Sequence, residues 1–251
     1  RLSQDGLTEI SNYGMYDFFR DRLSLTNMGS LGKLIGGWDI HNKCYTLSIQ
    51  PTVGQATGEQ AITLSFDEQV QGWTSFYSYV PSHMLSLNNS FYSFDLGGDL
   101  YQHYSDNVNR ANFYGNNSNS SVTTVFNAKP SMIKNFQTIN YEGDSNWSLN
   151  LFQTNTDSAN KIDVFSMPTT LAEMENALLK NQFKAKENKY FANLINTSTV
   201  NQGEVVYGKE ISGVKGFYAT VRLSATNLVG GGLNGTNELF AVSTNYKESS
   251  Y

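Results

Sequence analysis

The chain has 251 residues, of which 39% are hydrophobic, 13% aromatic and 16% charged. That much buriable apolar surface excludes a disordered chain, and folding at this length buries roughly 70–75% of the unfolded surface, so no covalent staple is needed. The only cysteine, Cys44, excludes an intrachain disulfide framework and a thiolate metal cluster, and 22 acidic against 17 basic residues, net -5, argue against a phosphate-binding groove.

Asn (28) and Ser (27) are the commonest residues. This is β and loop composition, since helices are filled by Ala, Glu, Leu and Lys. No stretch approaches the ~20 consecutive apolar residues of a membrane span, and the first 30 residues lack an apolar signal core. The sequence therefore predicts no membrane span.

In chain order, Met15, Phe18, Phe19 and Leu23 fall at helical spacing after the cap candidates Ser11 and Asn12. They predict a helix of about three turns that packs on a sheet. At Trp38-Asp39 an Asp able to bond the backbone two residues on starts a tight turn. After it Tyr45, Leu47 and Ile49 share one strand face while Thr46 and Ser48 take the other. Ile62, Leu64 and Phe66 repeat the pattern against Thr63 and Ser65, and both runs predict half-buried strands. If Trp38 is buried, Trp38→Ala costs about 3–5 kcal/mol against about 1 kcal/mol for Asp39→Ala. Further strands are predicted at 73–80, 91–94, 122–126, 136–140, 162–165, 217–223 and 239–243.

The stretches 116–121 and 227–237 predict surface loops, rich in Gly, Asn and Ser. A capping box at Thr170 and Glu173 opens a second helix with Leu171, Met174 and Leu178 as its apolar stripe. Its amphipathic continuation through Tyr190, Phe191 and Leu194 reads as a further helical turn or a packed loop. Lys180, Lys184, Lys186 and Lys189 read as a solvated helix face. Together these features predict a mainly β fold, with propeller-like or sandwich-like antiparallel sheets and two or three short helices. Residues 1–251 read as one region without a firm internal boundary.

The chemistry-bearing residues give no strong motif. His41, His83 and His103 are far apart, with no ligand spacing for a metal. His41 and Cys44 could be drawn as a nucleophile and base, but a third, orienting group is missing and a structural cysteine is the simpler reading. Asp95, Asp99, Glu142 and Asp144 supply carboxylates for glycoside hydrolysis only if a pair faces across a cleft; solvated loop acids are the default. Gly97-Gly98-Asp99 and Gly230-Gly231-Gly232 lack the Lys and Ser/Thr of a phosphate loop and read as turns. Six Asn-x-Ser/Thr sites, at Asn88, Asn116, Asn119, Asn146, Asn196 and Asn234, are expected by chance in so Asn- and Ser-rich a chain. No catalytic, metal or cofactor residue is assigned, and no cofactor is expected.

Several segments, in order and spacing, resemble one family. They are 6–11 and 14–21, then Gly37-Trp38-Asp39 with Tyr45-Thr46-Leu47, then Leu64-Ser65-Phe66 with 72–76. Residues 85–89 and 98–101 follow, then Asn109-Arg110 with 112–115, 133–134 through 140–143, 189–191, 216–219 and 238–243. Together they are similar to the large virion structural proteins of tailed phages, including the nozzle or muzzle proteins at the tail end of short-tailed and crAss-like phages. The resemblance runs from about residue 2 to the end of the chain. It implies a non-enzymatic tail component that assembles as a homo-oligomeric ring around the DNA exit channel. It also implies contact with other tail proteins and with exiting DNA, without specific binding. It implies further that residues 1–251, which open on Arg1, are the C-terminal part of a longer virion protein. The alternative from another class is a carbohydrate-binding or carbohydrate-cleaving receptor protein, since aromatic-rich β scaffolds also hold glycans.

Overall fold

In a computed structural model of the chain, residues 2–3, 6–24, 28–52, 60–155, 183–196, 211–225 and 237–249 are described. The chain divides into two compact units, residues 1–108 with 112–116 and residues 109–111 with 117–251. The architecture is mainly β, in antiparallel sheets none of which, among the described residues, closes into a barrel.

The first unit opens with β1 (Leu2–Ser3) paired to β2 (Gly6–Leu7), followed by helix α1 (Tyr16–Arg22). A four-stranded meander runs β3 (Lys33–Asp39), β4 (Cys44–Gln50), β5 (Ile62–Asp67) and β6 (Gly72–Tyr77). A three-stranded one follows, β7 (His83–Leu87), β8 (Ser90–Phe94) and β9 (Leu100–Gln102). The short strands β10 (Asn112–Phe113) and β11 (Asn116–Asn117) pair with each other.

Helix α1 has two turns where the sequence predicts three. It follows Gly14, whose φ of 72° is not helical, and its N-cap is Met15 without a side-chain bond, so Ser11 and Asn12 do not cap it. Asp17 in the first turn and Arg20 and Arg22 in the last complement the helix dipole. As expected, the helix packs on a sheet: Phe19 is buried against Ile49 and Leu64, with Phe18, Leu47 and Trp73 around it.

The other face of that sheet departs from expectation. Thr46, Ser48, Thr63 and Ser65 are all buried, so β4 and β5 are covered on both sides and are not half-solvated strands. A second cluster of Tyr79, Met84 and Phe91, with Ile35 and Tyr77 against it, covers this hydroxyl-lined face. Burial is tolerated because the hydroxyls find partners: Thr63 Oγ1 donates to the Tyr79 carbonyl at 2.6 Å, and Ser65 Oγ lies 3.5 Å from the Tyr77 hydroxyl. Small side chains also let the layers approach, and Gly37 marks a point of close contact. A Cβ on Gly37 would stand 2.8 Å from Met84 Cβ. The first unit is thus three layers deep, with α1 and its flanking chain on one face of the β3–β6 sheet and the β7–β9 sheet on the other.

The second unit contains β12 (Ser120–Phe126), β13 (Lys134–Gly143), β14 (Trp147–Thr154), β15 (Lys184–Lys186) and β16 (Lys189–Asn193). It continues with β17 (Ile195–Asn196), β18 (Ile211–Ser212), β19 (Val214–Gly216), β20 (Ala219–Ala225) and β21 (Leu239–Glu248). One sheet has the order β12-β20-β14. The other is built on β13, which carries β21 along one edge and β16 and β19 end to end along the other, with β15 outside β16. The two sheets share a single core in which Phe136, Ile139 and Tyr141 meet Phe152, Val221 and Leu223, a sandwich.

Three local expectations are corrected here. The stretch 116–121 is no loop but carries β11 and the start of β12. Tyr190 and Phe191 lie in strand β16, neither a helical turn nor a loop. Lys184, Lys186 and Lys189 are exposed as expected, but on the β15–β16 hairpin and not on a helix. The hairpin forms because Glu187 and Asn188 both adopt positive φ, 53° and 62°, the turn whose twist matches antiparallel strands. Lys180, the capping box at Thr170, the strand at 162–165 and all but the end of the 227–237 stretch lie outside the described residues.

Candidate functional site

A polar constellation in the first unit grows from the turn after β3. Asp39 is buried, and its Oδ1 accepts from the His41 amide at 2.9 Å and the Asn42 amide at 3.2 Å, the local turn that the sequence predicts. Its other oxygen accepts from the Tyr104 hydroxyl, a partner 65 positions away, and the Cys44 thiol points at the same oxygen from 4.0 Å. Asn42 donates to the Tyr104 hydroxyl at 2.8 Å, and the His41 ring stacks on the Tyr104 ring at 4.3 Å. Burial and the bond to Asp39 hold the Tyr104 phenol far above its ordinary range. Burial also pushes the Cys44 thiol up, away from the thiolate a nucleophile needs. His41 and Cys44 therefore meet around one carboxylate as parts of a turn, with His41 turned to an aromatic stack.

A second cluster adjoins it. Ser93 is buried in β8, and its hydroxyl lies 2.6 Å from His103 Nε2 and 2.7 Å from the Tyr114 hydroxyl. The His103 ring sits among Tyr79, Phe91, Tyr104 and Phe113. Burial lowers its pKa to about 4 against a smaller opposing pull from Asp39, so the ring is neutral at pH 7. A Ser hydroxyl against a neutral His is the contact of a nucleophile with its base. Here the Ser oxygen is shared with a tyrosine and enclosed, so the pair fastens the 103–114 segment to β8. None of Ser93, Tyr104 or Tyr114 carries a local sequence signal, because each finds its partner across the fold.

The remaining candidates are separated. His83 is exposed at the start of β7. Asp95 and Asp99 close the β8–β9 turn on each other: the Asp95 amide donates to the Asp99 carbonyl at 3.0 Å and the Asp99 amide to Asp95 Oδ1 at 2.9 Å. Gly98 adopts a φ of 93° in that turn. In the second unit Glu142 pairs with Lys189 at 2.5 Å, and Asp144 accepts from the Glu238 amide at 2.6 Å. These carboxylates thus serve turns and ion pairs. Among the described residues no three of His, Cys, Asp and Glu gather as a metal site, and no described helix is long and apolar enough to cross a membrane.

Two further features follow from the packing. On the α1 side of the β3–β6 sheet lies a groove of about 680 Å³ whose walls include Leu34, Trp38, Tyr45, Leu47, Phe66 and Trp73. Trp73 Nε1 donates to the Ile10 carbonyl at 3.0 Å and ties the chain before α1 across it. In the second unit Lys134 is wholly buried, its ammonium donating to the carbonyls of Lys129 at 3.0 Å and Met132 at 2.9 Å. Burial pulls that ammonium below the usual lysine range, and the Tyr246 ring lies 5.9 Å away.

Residues 108–197, a little over a third of the chain, match the Crassvirus muzzle protein C-terminal domain. The match takes in β10–β17, including the central strand β13 and β14 of the facing sheet. No curated protein matches the chain.

Proposed function

We propose that the chain is a crassvirus muzzle-type component of the virion tail and acts by assembly, as copies ringed around the DNA exit channel. The family match at 108–197 carries this reading. The chain's acidic balance, net -5, supports it: an acidic protein repels phosphates, so DNA can slide past without being held. In this reading the chain is not an enzyme, it contacts other tail proteins, and both units belong to the C-terminal region of a longer virion protein. Counting copies by quantitative mass spectrometry of purified virions tests it. Several copies per tail are expected; one copy per tail overturns a ring.

The alternative, a glycan-binding receptor protein, draws on the aromatic-walled groove of the first unit. Binding of a host glycan by the isolated chain, lost on Trp38→Ala, would favour it over assembly.

A further inference from the structure

The groove on the α1 side of the β3–β6 sheet joins aromatic surface to acid. Trp38 on β3 and Tyr45 on β4 are cross-strand partners, and the Tyr45 ring lies over Gly36, where an added Cβ would overlap its hydroxyl. With no side chain at Gly36 to lift it, the ring lies along the sheet beside Trp38. Trp73 adds a third aromatic wall. Trp38 is 43% exposed, so this aromatic surface is open to a partner.

The remaining walls select the charge. Glu9 and Glu68 line the groove, and no Lys, Arg or His does so among the described residues. Glu9 is exposed and takes a bond from the neutral Ser11 hydroxyl at 2.8 Å. Carboxylates only accept, while the Ser11 hydroxyl and the Trp73 N–H, given to the Ile10 carbonyl, are already spent as donors. The groove is therefore rich in charged acceptors. A sugar, whose hydroxyls accept as readily as they donate, suits that balance less well than a cation that only donates.

A guanidinium fits each wall. It is planar, carries five N–H donors and no acceptor, stacks on aromatic faces and meets carboxylates in charge-assisted bonds. The methylene stem of an arginine packs on apolar surface, which Leu34 and Leu47 supply. At about 680 Å³ the groove has room for that side chain together with the backbone on either side of it.

We propose that the groove is a docking site for an extended segment of a partner protein, which lays an arginine side chain on Trp38 and Tyr45 with its charge toward Glu9 and Glu68. The proposal stands on the groove's own chemistry and needs no ring, so the number of copies per tail leaves it untouched.

The test uses the full 251-residue chain, isotope-labelled for NMR, and a blocked peptide, acetyl-Gly-Gly-Arg-Gly-Gly-amide. Titration to about 10 mM reaches contacts of millimolar affinity. Of the three tryptophans, Trp38 and Trp73 line the groove, whereas Trp147 is 6% exposed in the core of the second unit. The indole N–H signals of Trp38 and Trp73 should move while that of Trp147 stays, and the same peptide with citrulline in place of arginine should leave all three where they are. Trp38→Ala should weaken binding about tenfold and Glu9→Gln about two- to fivefold. Both positions are exposed, circular dichroism confirms that each variant folds, and the citrulline comparison needs no variant. No shift at the highest concentration, equal shifts with arginine and citrulline, movement confined to Trp147, or folded variants that bind as tightly as the unaltered chain would each overturn the proposal. Maltotriose moving the Trp38 signal where the arginine peptide does not would overturn it in favour of the glycan reading.

Discussion

Asp39 and Trp38 are adjacent, and the structure reverses their expected order of importance. Trp38 is 43% exposed on the groove side, so truncating it forfeits only part of its burial, whereas Asp39 is 1% exposed. Two amides and the Tyr104 hydroxyl depend on Asp39. Asp39→Ala should therefore cost about 2–4 kcal/mol, since it strands buried donors, against about 1–2 kcal/mol for Trp38→Ala. Chemical denaturation of both variants checks the order, and a larger loss for Trp38→Ala contradicts it. The turn itself was legible in the sequence because Asp39 bonds to neighbours two and three residues on. Tyr104 was not, since its bond spans 65 positions and no periodicity encodes it.

His103 gives the first unit a pH dependence. Its folded-state pKa lies at about 4, below the ordinary 6.5, so between those values the unfolded chain binds more protons. The stability from burying the neutral ring is present above pH 6.5 and is lost as pH falls through 4, at most about 3 kcal/mol. Thermal melts from pH 7 to pH 4 should show this loss, and His103→Gln should remove most of the slope. An unchanged slope in the variant would place the acid sensitivity elsewhere.

At the scale of elements, β3 and β7 approach closely at Gly37. Gly37→Ala should cost about 1–3 kcal/mol, because a Cβ there meets Met84 Cβ and the backbones of two sheets must part. Gly36→Ala is the matched control: its new Cβ meets the end of the Tyr45 side chain, which can swing aside. Urea unfolding of the pair should separate them clearly, and equal losses would show that the layers do not depend on Gly37.

Strands with strict alternation, such as Ile62, Leu64 and Phe66, were readable because one apolar face is all that such a pattern must encode. The burial of the opposite Ser/Thr face was not, since hydroxyls buried by small-residue packing look the same in sequence as hydroxyls in water. The β15–β16 hairpin was missed for a related reason. Lys184, Lys186, Lys189, Tyr190 and Phe191 suit a helix face as well as a hairpin, and only the two positive-φ turn residues decide between them.

At the scale of the whole molecule, the mainly β composition and the low charge were legible, and the family resemblance meets a match over 108–197. The division into two units was not, because no Pro-, Gly- or charge-rich linker marks it: the chain crosses from one unit to the other around Asn109–Asn117 within short paired strands. Which strand residues face outward also lies beyond sequence, since an outward leucine such as Leu87 reads as an inward one until its register is known.

A reconstruction of the intact virion tail, resolved well enough to trace this chain, tests the assembly most directly. It should show copies related by rotation about the tail axis, neighbouring copies burying more than roughly 1,000 Å² between them. One isolated copy, or neighbours touching over only a few hundred Å², would contradict it.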